Sequence, residues 1–157
     1  LGILHPGLQE PGECGASLLA FFVGLGLLQG ADKLSGLHAE VRAKPGDLGE
    51  LGAATVVVSM GSDGALLVDE DGVLHAEAFV VSPRSTVGAG DALLAGYLAG
   101  TLMADGERAA ALREAVAWGS GALRLDGSRV PVITEADRAA VVTDDAPDLA
   151  RHLRQPA

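Results

Sequence analysis

The chain has 157 residues, of which 48% are hydrophobic, so it is long enough for one domain with a sizeable core. Its formal net charge of −10 argues against nucleic acid and anionic membranes as partners, because both are themselves negatively charged. Cys14 is the single cysteine, which excludes an internal disulfide framework and fits a reducing cytoplasm.

The first predicted element is an apolar run over residues 16–28, which is too short to span a bilayer. Within it we predict a strand over Leu18–Val23. Three glycines then follow in the spacing G-x-G-x-x-x-G, a variant of the dinucleotide-binding fingerprint: Gly24, Gly26 and Gly30. A ribose-binding acid would have to be Glu40 or Asp47. This pattern leaves a dinucleotide-dependent oxidoreductase as one alternative for the chain.

The middle of the chain alternates short strands with glycine turns. Thr55–Ser59 is a β-branched run that predicts a buried strand. It ends in Met60–Gly64, a turn with glycine where left-handed dihedral angles are needed. We predict a second strand over Ala65–Val68, another turn at Asp69–Gly72, and one or two short strands within Val73–Val81.

The next segment, Thr86–Asp91, joins a glycine turn to an apolar helix that we predict over Ala92–Gly100. The first four N–H groups of a helix have no acceptor within it, and with the helix dipole they form a site for a phosphate oxygen. Gly88 and Gly90 lack a Cβ, so a ligand can approach the backbone closely. Asp91 would then lie where a substrate hydroxyl meets the bound phosphate. An anion site beside a proton acceptor is what phosphoryl transfer to an alcohol requires.

The same residues also fit a purely structural interpretation. A Thr or Asp before a helix is often an N-cap, and Gly-Ala-Gly is often a tight turn between a strand and a helix. The segment by itself leaves both interpretations open. The upstream turn at Met60–Gly64 favours the functional one, because two glycine turns that each end a strand can face one another across a nucleotide.

Helices are predicted again in the last third of the sequence. The helical spacing of apolar residues predicts a helix over Glu107–Leu123. Thr134 and Asp137 predict a capping box for a short helix that ends at Ala140. A last helix is predicted over Asp144–Arg154, with two arginines suited to its C-terminal end. The 4 histidines are scattered without metal-ligand spacing, so we interpret them as packing or solvated side chains.

Two of these segments together resemble a known family. Residues 57–68, Val-Val-Ser-Met-Gly-Ser-Asp-Gly-Ala-Leu-Leu-Val, and residues 85–91, Ser-Thr-Val-Gly-Ala-Gly-Asp, resemble the C-terminal half of the ribokinase-like (PfkB) carbohydrate kinases. Ser-Thr-Val is most similar to the hexose-phosphate branch, which includes 1-phosphofructokinase and tagatose-6-phosphate kinase, whereas ribokinases tend to carry Asp-Thr there. The resemblance covers roughly residues 53–131.

The resemblance implies an α/β fold, a ribokinase-like three-layer α/β/α sheet without the N-terminal half and the lid. Residues 1–50 would be a divergent or truncated N-terminal segment, and residues 51–157 the C-terminal, nucleotide-binding part of the kinase domain. The family's N-terminal glycine pair has no counterpart in this sequence, and the Asn-x-x-Glu segment that influences Mg²⁺ is not visible.

The resemblance also implies roles for particular residues. Asp91 would be the catalytic base that accepts the proton of the sugar hydroxyl. The anion hole for the transferred phosphoryl group would be formed by the turn and backbone amides at Gly88, Ala89, Gly90 and Asp91. The residues along the ATP phosphates and ribose would be Ser59, Gly61, Asp63, Gly64 and Thr86. The segment Ala117–Ala122 would help to wall the adenine pocket.

The implied function is ATP-dependent transfer of the γ-phosphoryl group to a hydroxyl of a sugar phosphate, with fructose 1-phosphate as the favoured substrate. ATP and Mg²⁺ are the implied cofactors. Because no cluster of metal ligands is evident in the sequence, we expect Mg²⁺ to be held on the nucleotide with few protein ligands. A catalytically incomplete, nucleotide-binding remnant is the first alternative, and the oxidoreductase fragment is the second. We expect a cytoplasmic protein. The family often dimerises through the lid that this chain lacks, so a homodimer is one candidate assembly and the oligomeric state stays open.

Overall fold

The computed structural model describes residues 20–24, 55–105 and 107–154. The strands are β1 (Ala20–Gly24), β2 (Thr55–Ser59), β3 (Ala65–Asp69), β4 (Gly72–Glu77) and β5 (Val142–Asp144). The helices are α1 (Ala89–Met103), α2 (Arg108–Ala122) and α3 (Glu135–Ala139), and a single 3-10 turn at Gly61–Asp63 separates β2 from β3. The residues after Gly24 that would complete the dinucleotide fingerprint, and the domain boundary predicted at residues 50 and 51, lie outside the described residues.

The strands form one sheet in the order β1-β2-β3-β4-β5. β1 runs parallel to β2, with Ala20 opposite Thr55, and the strand that we predicted over Leu18–Val23 therefore exists with slightly later bounds. The β2–β3, β3–β4 and β4–β5 pairs are antiparallel. Short turns join the first two pairs, whereas helices α1, α2 and α3 lie between β4 and β5. Since β2 and β4 both oppose β3, they run in the same direction and their carboxyl ends lie at the same edge of the sheet.

Successive side chains along each strand point to opposite faces of the sheet, and both faces are buried. Val57, Leu67 and Leu74 are paired across the strands and belong to the main hydrophobic core. Val58 and Leu66 point to the opposite face and are also fully buried. A sheet that is apolar on both faces is the pattern expected for a layer covered on both sides. The α/β fold class predicted from the sequence is confirmed.

Helices α1 and α2 pack on the core face of the sheet and against each other. Leu93 and Tyr97 of α1 and Leu112 and Val116 of α2 belong to the same buried cluster as the strand residues. Helix α2 has Glu107 as its N-cap residue, so the helix predicted over Glu107–Leu123 is confirmed. Among the described residues, none of the helices combines the length and apolar character needed to cross a membrane.

Helix α3 begins with the predicted capping box. The Thr134 hydroxyl accepts a hydrogen bond from the Asp137 amide, and the Asp137 carboxylate accepts one from the Thr134 amide at 2.8 Å. The Thr134 hydroxyl also donates to Asp137 Oδ2 at 2.7 Å. This bond, the one from the Thr134 amide and one from Arg124 lower the pKa of Asp137 to about 2. The local sequence therefore specifies the start of this helix, as expected.

The helix predicted over Asp144–Arg154 was wrong. The segment begins at the end of β5 and continues in bends and turns. The Asp144 carboxylate accepts a hydrogen bond from the Ala146 amide at 3.0 Å, and the Asp148 carboxylate accepts one from the Ala150 amide at 2.9 Å. Such short side chain-to-backbone bonds compete with helical hydrogen bonds. The two arginines expected at a helix end instead reach back to the turn after β2.

Candidate functional site

The first turn of α1 has no side-chain cap. Its N-cap residue is Gly88, which has φ 80° and ψ −1°, a left-handed conformation that favours glycine. Helix α2 is capped by the Glu107 carboxylate and α3 by the Thr134 hydroxyl, whereas no side chain accepts from the start of α1. The structure therefore does not support the interpretation of Thr86 or Asp91 as a conventional cap.

Two backbone amides remain open at this helix start. The Ala89 amide donates to the Thr86 carbonyl oxygen at 3.3 Å, and the Ala92 amide donates to the Gly88 carbonyl oxygen at 2.9 Å. Between them, the amides of Gly90 and Asp91 have no hydrogen-bond acceptor within the described part of the chain. A Cβ on Gly90 would meet nothing within 4 Å, and the Asp91 side chain is exposed. An anion can therefore approach these two amides directly.

The second glycine turn follows β2 and is fixed by its own backbone. The Met60 amide donates to the Gly64 carbonyl oxygen at 2.8 Å, and the Gly64 amide donates to the Gly61 carbonyl oxygen at 3.2 Å. Both glycines have positive φ, 59° at Gly61 and 81° at Gly64. Gly61 is exposed with open space where a Cβ would lie, while Ser59 at the end of β2 is half-buried. The turn thus presents its Gly61 side to solvent.

Asp63 lies in this turn, but its carboxylate faces inward. The side chain is 1% exposed and accepts hydrogen bonds from the Arg154 amide at 2.6 Å and the Arg154 Nε at 2.9 Å. A further bond comes from Arg151 Nη2 at 3.0 Å. The sequence-based interpretation placed Asp63 along the nucleotide. In the structure its oxygens are occupied by the two arginines, because a buried carboxylate requires such partners.

The same arginines contact Glu77 at the end of β4. Arg151 Nη2 lies 2.8 Å from Glu77 Oε2, and Arg154 Nη2 lies 3.0 Å from it. The hydrogen bond to Glu77 raises the pKa of Arg151 above its usual value, against the opposing effect of burial. His75 is buried on β4 and donates from Nε2 to the Asp63 carbonyl oxygen at 2.7 Å, so it is a packing histidine, as expected. His5 and His38 lie outside the described residues.

The Gly61–Gly64 turn and the connection that leads to α1 begin at the same edge of the sheet. The Gly61–Gly64 turn follows the carboxyl end of β2, and residues 78–88 run from the carboxyl end of β4 to the start of α1. This connection docks on the C-terminal end of α2, where the Arg84 amide donates to the Leu123 carbonyl oxygen at 2.7 Å. In α/β sheets, ligands bind at the carboxyl ends of strands.

The predicted adenine-wall segment, Ala117–Ala122, forms the last turns of α2. Ser120 lines a cleft of about 280 Å³, which is also bounded by residues 78–82 and by Arg124 and Asp137. Trp118 instead donates from its indole to Glu114 at 2.8 Å. The segment therefore offers its Ser120 side, rather than its tryptophan, to the cleft. No group of His, Cys, Asp and Glu side chains suited to a metal ion occurs in the described ranges.

Comparisons with known proteins identify the family of this chain. A model of the pfkB family of carbohydrate kinases matches residues 28–135. The chain belongs to this family. It is 42% identical over 94 residues to a 1-phosphofructokinase of Haloferax volcanii, an alignment that covers 56% of this chain and 30% of that relative. The family resemblance inferred from the two glycine motifs, with 1-phosphofructokinase as the nearest branch, is confirmed.

Solved structures show the same fold. Phosphofructokinase-2 of Escherichia coli, crystallised with potassium, has a TM-score of 0.57 and 26% identity over 76% of this chain and 38% of that one. Aminoimidazole riboside kinase of Salmonella enterica, crystallised with its riboside and an ATP analogue, has a TM-score of 0.56 and 30% identity over 70% of this chain and 37% of that one. The chain therefore spans well under half the length of the relatives it matches.

Proposed function

We propose that this chain carries the phosphate-binding turn and the catalytic base of an ATP-dependent sugar kinase. The acceptor would be a hydroxyl of a sugar phosphate, with fructose 1-phosphate favoured. The observation that carries the proposal is the first turn of α1, where the open amides of Gly90 and Asp91 lie beside the exposed Asp91 carboxylate. Amides of this kind attract a phosphate group, and the carboxylate is in reach of a hydroxyl brought to that phosphate.

In the reaction, the acceptor hydroxyl oxygen attacks the γ-phosphorus of ATP. A new oxygen–phosphorus bond forms as the bond from the γ-phosphorus to the bridging oxygen breaks, and ADP leaves. The hydroxyl proton passes to the Asp91 carboxylate. The amides of Gly90 and Asp91 would donate to the non-bridging oxygens, where negative charge is spread in the transition state. Local donors of this kind are needed because the chain's net charge of −10 repels phosphate.

We propose that the nucleotide lies along the shared edge of the sheet. Ser59, Gly61 and Gly64 would follow the phosphates and ribose, with Thr86 on the opposite turn. Gly61 and Gly90 both leave open space at the position of a Cβ, so phosphate oxygens can approach the backbone there. Mg²⁺ would be held on the nucleotide phosphates, and the cleft beside Ser120 is our candidate for the adenine.

Two kinds of relative support this choice. The Haloferax volcanii protein is named as a 1-phosphofructokinase, and the Salmonella enterica kinase was crystallised with an ATP analogue. The hexose-phosphate acceptor and the use of ATP come to this chain as proposals on that basis. We also propose the use of Mg²⁺, a homodimer, a cytoplasmic location and the assignment of residues 51–157 to the kinase domain, and these follow from the family resemblance alone.

An assay of ADP release tests the proposal. The full chain is incubated with MgATP and fructose 1-phosphate, and the same is done for Asp91→Asn and for the control Asp145→Asn, which changes an exposed aspartate outside the proposed site. We expect turnover by the unmodified chain, a loss of about 10²- to 10⁴-fold in Asp91→Asn, and no loss in the control.

The alternatives give other results. Binding of MgATP without turnover, in the presence of each hexose phosphate tried, would identify a nucleotide-binding remnant. Binding of NADH but not of MgATP would favour the oxidoreductase. Equal turnover by the unmodified chain and by Asp91→Asn would remove Asp91 from the reaction.

A further inference from the structure

Four charged side chains form a compact cluster behind the Gly61–Gly64 turn, and we call this cluster the arginine clasp: Asp63, Glu77, Arg151 and Arg154. The two arginines lie 88 and 91 residues after Asp63 in the sequence. Two positive and two negative charges balance within the clasp. Each arginine bridges both carboxylates, so the cluster joins the turn to the end of β4.

The arginine clasp contacts the backbone of the turn as well as the Asp63 side chain. Arg154 Nη2 donates to the Ser62 carbonyl oxygen at 2.7 Å, while Arg154 Nε donates to the Asp63 carboxylate. On the other side, His75 donates to the Asp63 carbonyl oxygen at 2.7 Å. Two consecutive carbonyl groups of the turn therefore each accept a side-chain hydrogen bond, one from β4 and one from the C-terminal segment. The planar fork of an arginine suits this double contact.

Glu77 extends the effect of the clasp along the sheet edge. It is the last residue of β4, and the next residues, 78–82, line the cleft beside Ser120. The arginines thus tie together the glycine turn and the start of the segment that leads to the cleft. Both parts belong to the proposed nucleotide site, whereas the first turn of α1 does not contact the clasp among the described hydrogen bonds.

We propose that Arg151 and Arg154 are positioning residues, which hold the Gly61–Gly64 turn in the shape that receives the nucleotide phosphates. This inference rests on the proposed function, since it assigns the nucleotide to that turn. A small displacement of groups that orient a substrate can lower affinity and rate strongly. The clasp acts on the nucleotide side of the site, so it controls the affinity for ATP and not the affinity for the sugar phosphate.

The test compares Arg154→Ala with Arg154→Lys and with the control Arg113→Ala. Arg113 donates to Thr143 at 3.2 Å, which joins α2 to β5, and forms no hydrogen bond with the Gly61–Gly64 turn. For each full-length variant we would measure the dissociation constant for MgATP, the KM for each substrate and the thermal unfolding midpoint. Amide hydrogen exchange over residues 61–64 gives a readout that needs no nucleotide.

We expect Arg154→Ala to weaken MgATP binding by about tenfold or more, with little change in the KM for fructose 1-phosphate. The same variant should speed exchange at Asp63 and Gly64. Arg154→Lys should lie between it and the unmodified chain, because lysine keeps the charge but offers no planar fork. Arg113→Ala should bind MgATP within about twofold of the unmodified chain.

A variant that retains the fold separates positioning from stability. In Asp63→Asn/Arg154→Ala a neutral amide replaces the buried carboxylate, so the unfolding midpoint should recover. The Ser62 carbonyl group still lacks its hydrogen bond from Arg154, so the affinity for MgATP should stay low. Recovery of both would overturn the proposal, as would unchanged exchange at residues 61–64 in Arg154→Ala. If the unmodified chain binds no MgATP, the proposed function fails, and the positioning proposal, which assigns the nucleotide to this turn, falls with it. The exchange data would then report only whether the clasp still orders the turn.

Discussion

Gly64 lies directly against the backbone of Ala76 in the neighbouring strand. A Cβ built on Gly64 would lie 2.0 Å from the Ala76 carbonyl oxygen, and the residue has φ 81°. The turn after β2 and strand β4 are therefore in van der Waals contact through their main chains, with no side chain between them. This contact places the turn beside Glu77 and the arginine clasp.

The first prediction concerns this contact. Gly64→Ala should destabilise the fold by about 3 kcal/mol or more, since left-handed strain and a backbone overlap act together. Gly61→Ala is the matched control, because Gly61 also has positive φ but meets nothing within 4 Å. It should cost only the left-handed strain, about 1–2 kcal/mol. Urea unfolding of both variants measures the difference, and equal losses would contradict the close contact.

The second prediction separates stability from binding at Gly90. Glycine in a helix is less favourable than alanine by roughly 0.5–1 kcal/mol, and Gly90 has open space at the position of a Cβ. Gly90→Ala should therefore raise the free energy of unfolding and at the same time weaken MgATP binding, because the methyl group occupies the approach to the amides. Unfolding and titration with MgATP measure the two effects. Affinity that is unchanged or improved would argue against phosphate at this turn.

The third prediction concerns Glu114, which is 7% exposed and accepts bidentate hydrogen bonds from Arg138 at 2.6 and 2.8 Å. In Arg138→Ala, the Trp118 indole is the one remaining hydrogen-bond donor to this buried carboxylate among the described residues. The substitution should lower the free energy of unfolding by about 3 kcal/mol. Arg138→Ala/Glu114→Gln should recover most of that loss, since no unpaired charge remains. Chemical unfolding followed by fluorescence of Trp118, the single tryptophan, measures both. A double variant no more stable than the single one would contradict the ion-pair account.

The fourth prediction uses the capping box of α3. The pKa of Asp137 is lowered from 3.8 to about 2 in the folded chain. A lowered folded-state pKa means that the stabilisation is fully present above pH 3.8 and is lost as the pH falls toward 2. The difference in unfolding free energy between the unmodified chain and Asp137→Asn should therefore shrink across that window. Unfolding measured at several acid pH values and fixed ionic strength gives this difference. A difference that stays constant between pH 3.8 and about 2 would contradict the lowered pKa of Asp137.

Sequence patterns were sufficient where neighbouring residues determine the structure. The β-branched run at Thr55–Ser59, the capping box at Thr134 and the helix that follows Gly88 all follow from local preferences, and the structure has each of them. The two glycine motifs were also sufficient to identify the family, because their residues and spacing are read directly from the sequence.

Contacts between distant residues could not be predicted in this way. Arg151 and Arg154 fit the C-terminal end of a helix by their local sequence, yet they pair with Asp63 and Glu77. Nothing in the pattern around Asp63 distinguishes a buried anchor from an exposed ligand-binding carboxylate. The only available signal was charge complementarity, which many other pairs in the chain share. Tertiary packing decided the outcome.

The proposed anion site at the uncapped first turn of α1 would make the stability of the folded chain depend on dissolved anions. An anion that binds only the folded chain raises its stability by an amount that grows with concentration over the dissociation constant. Inorganic phosphate, pyrophosphate and nucleotides would therefore shift the melting curve in order of their fit to Gly90 and Asp91. On the proposed assignment, the choice of buffer anion would therefore change any stability measured for this protein.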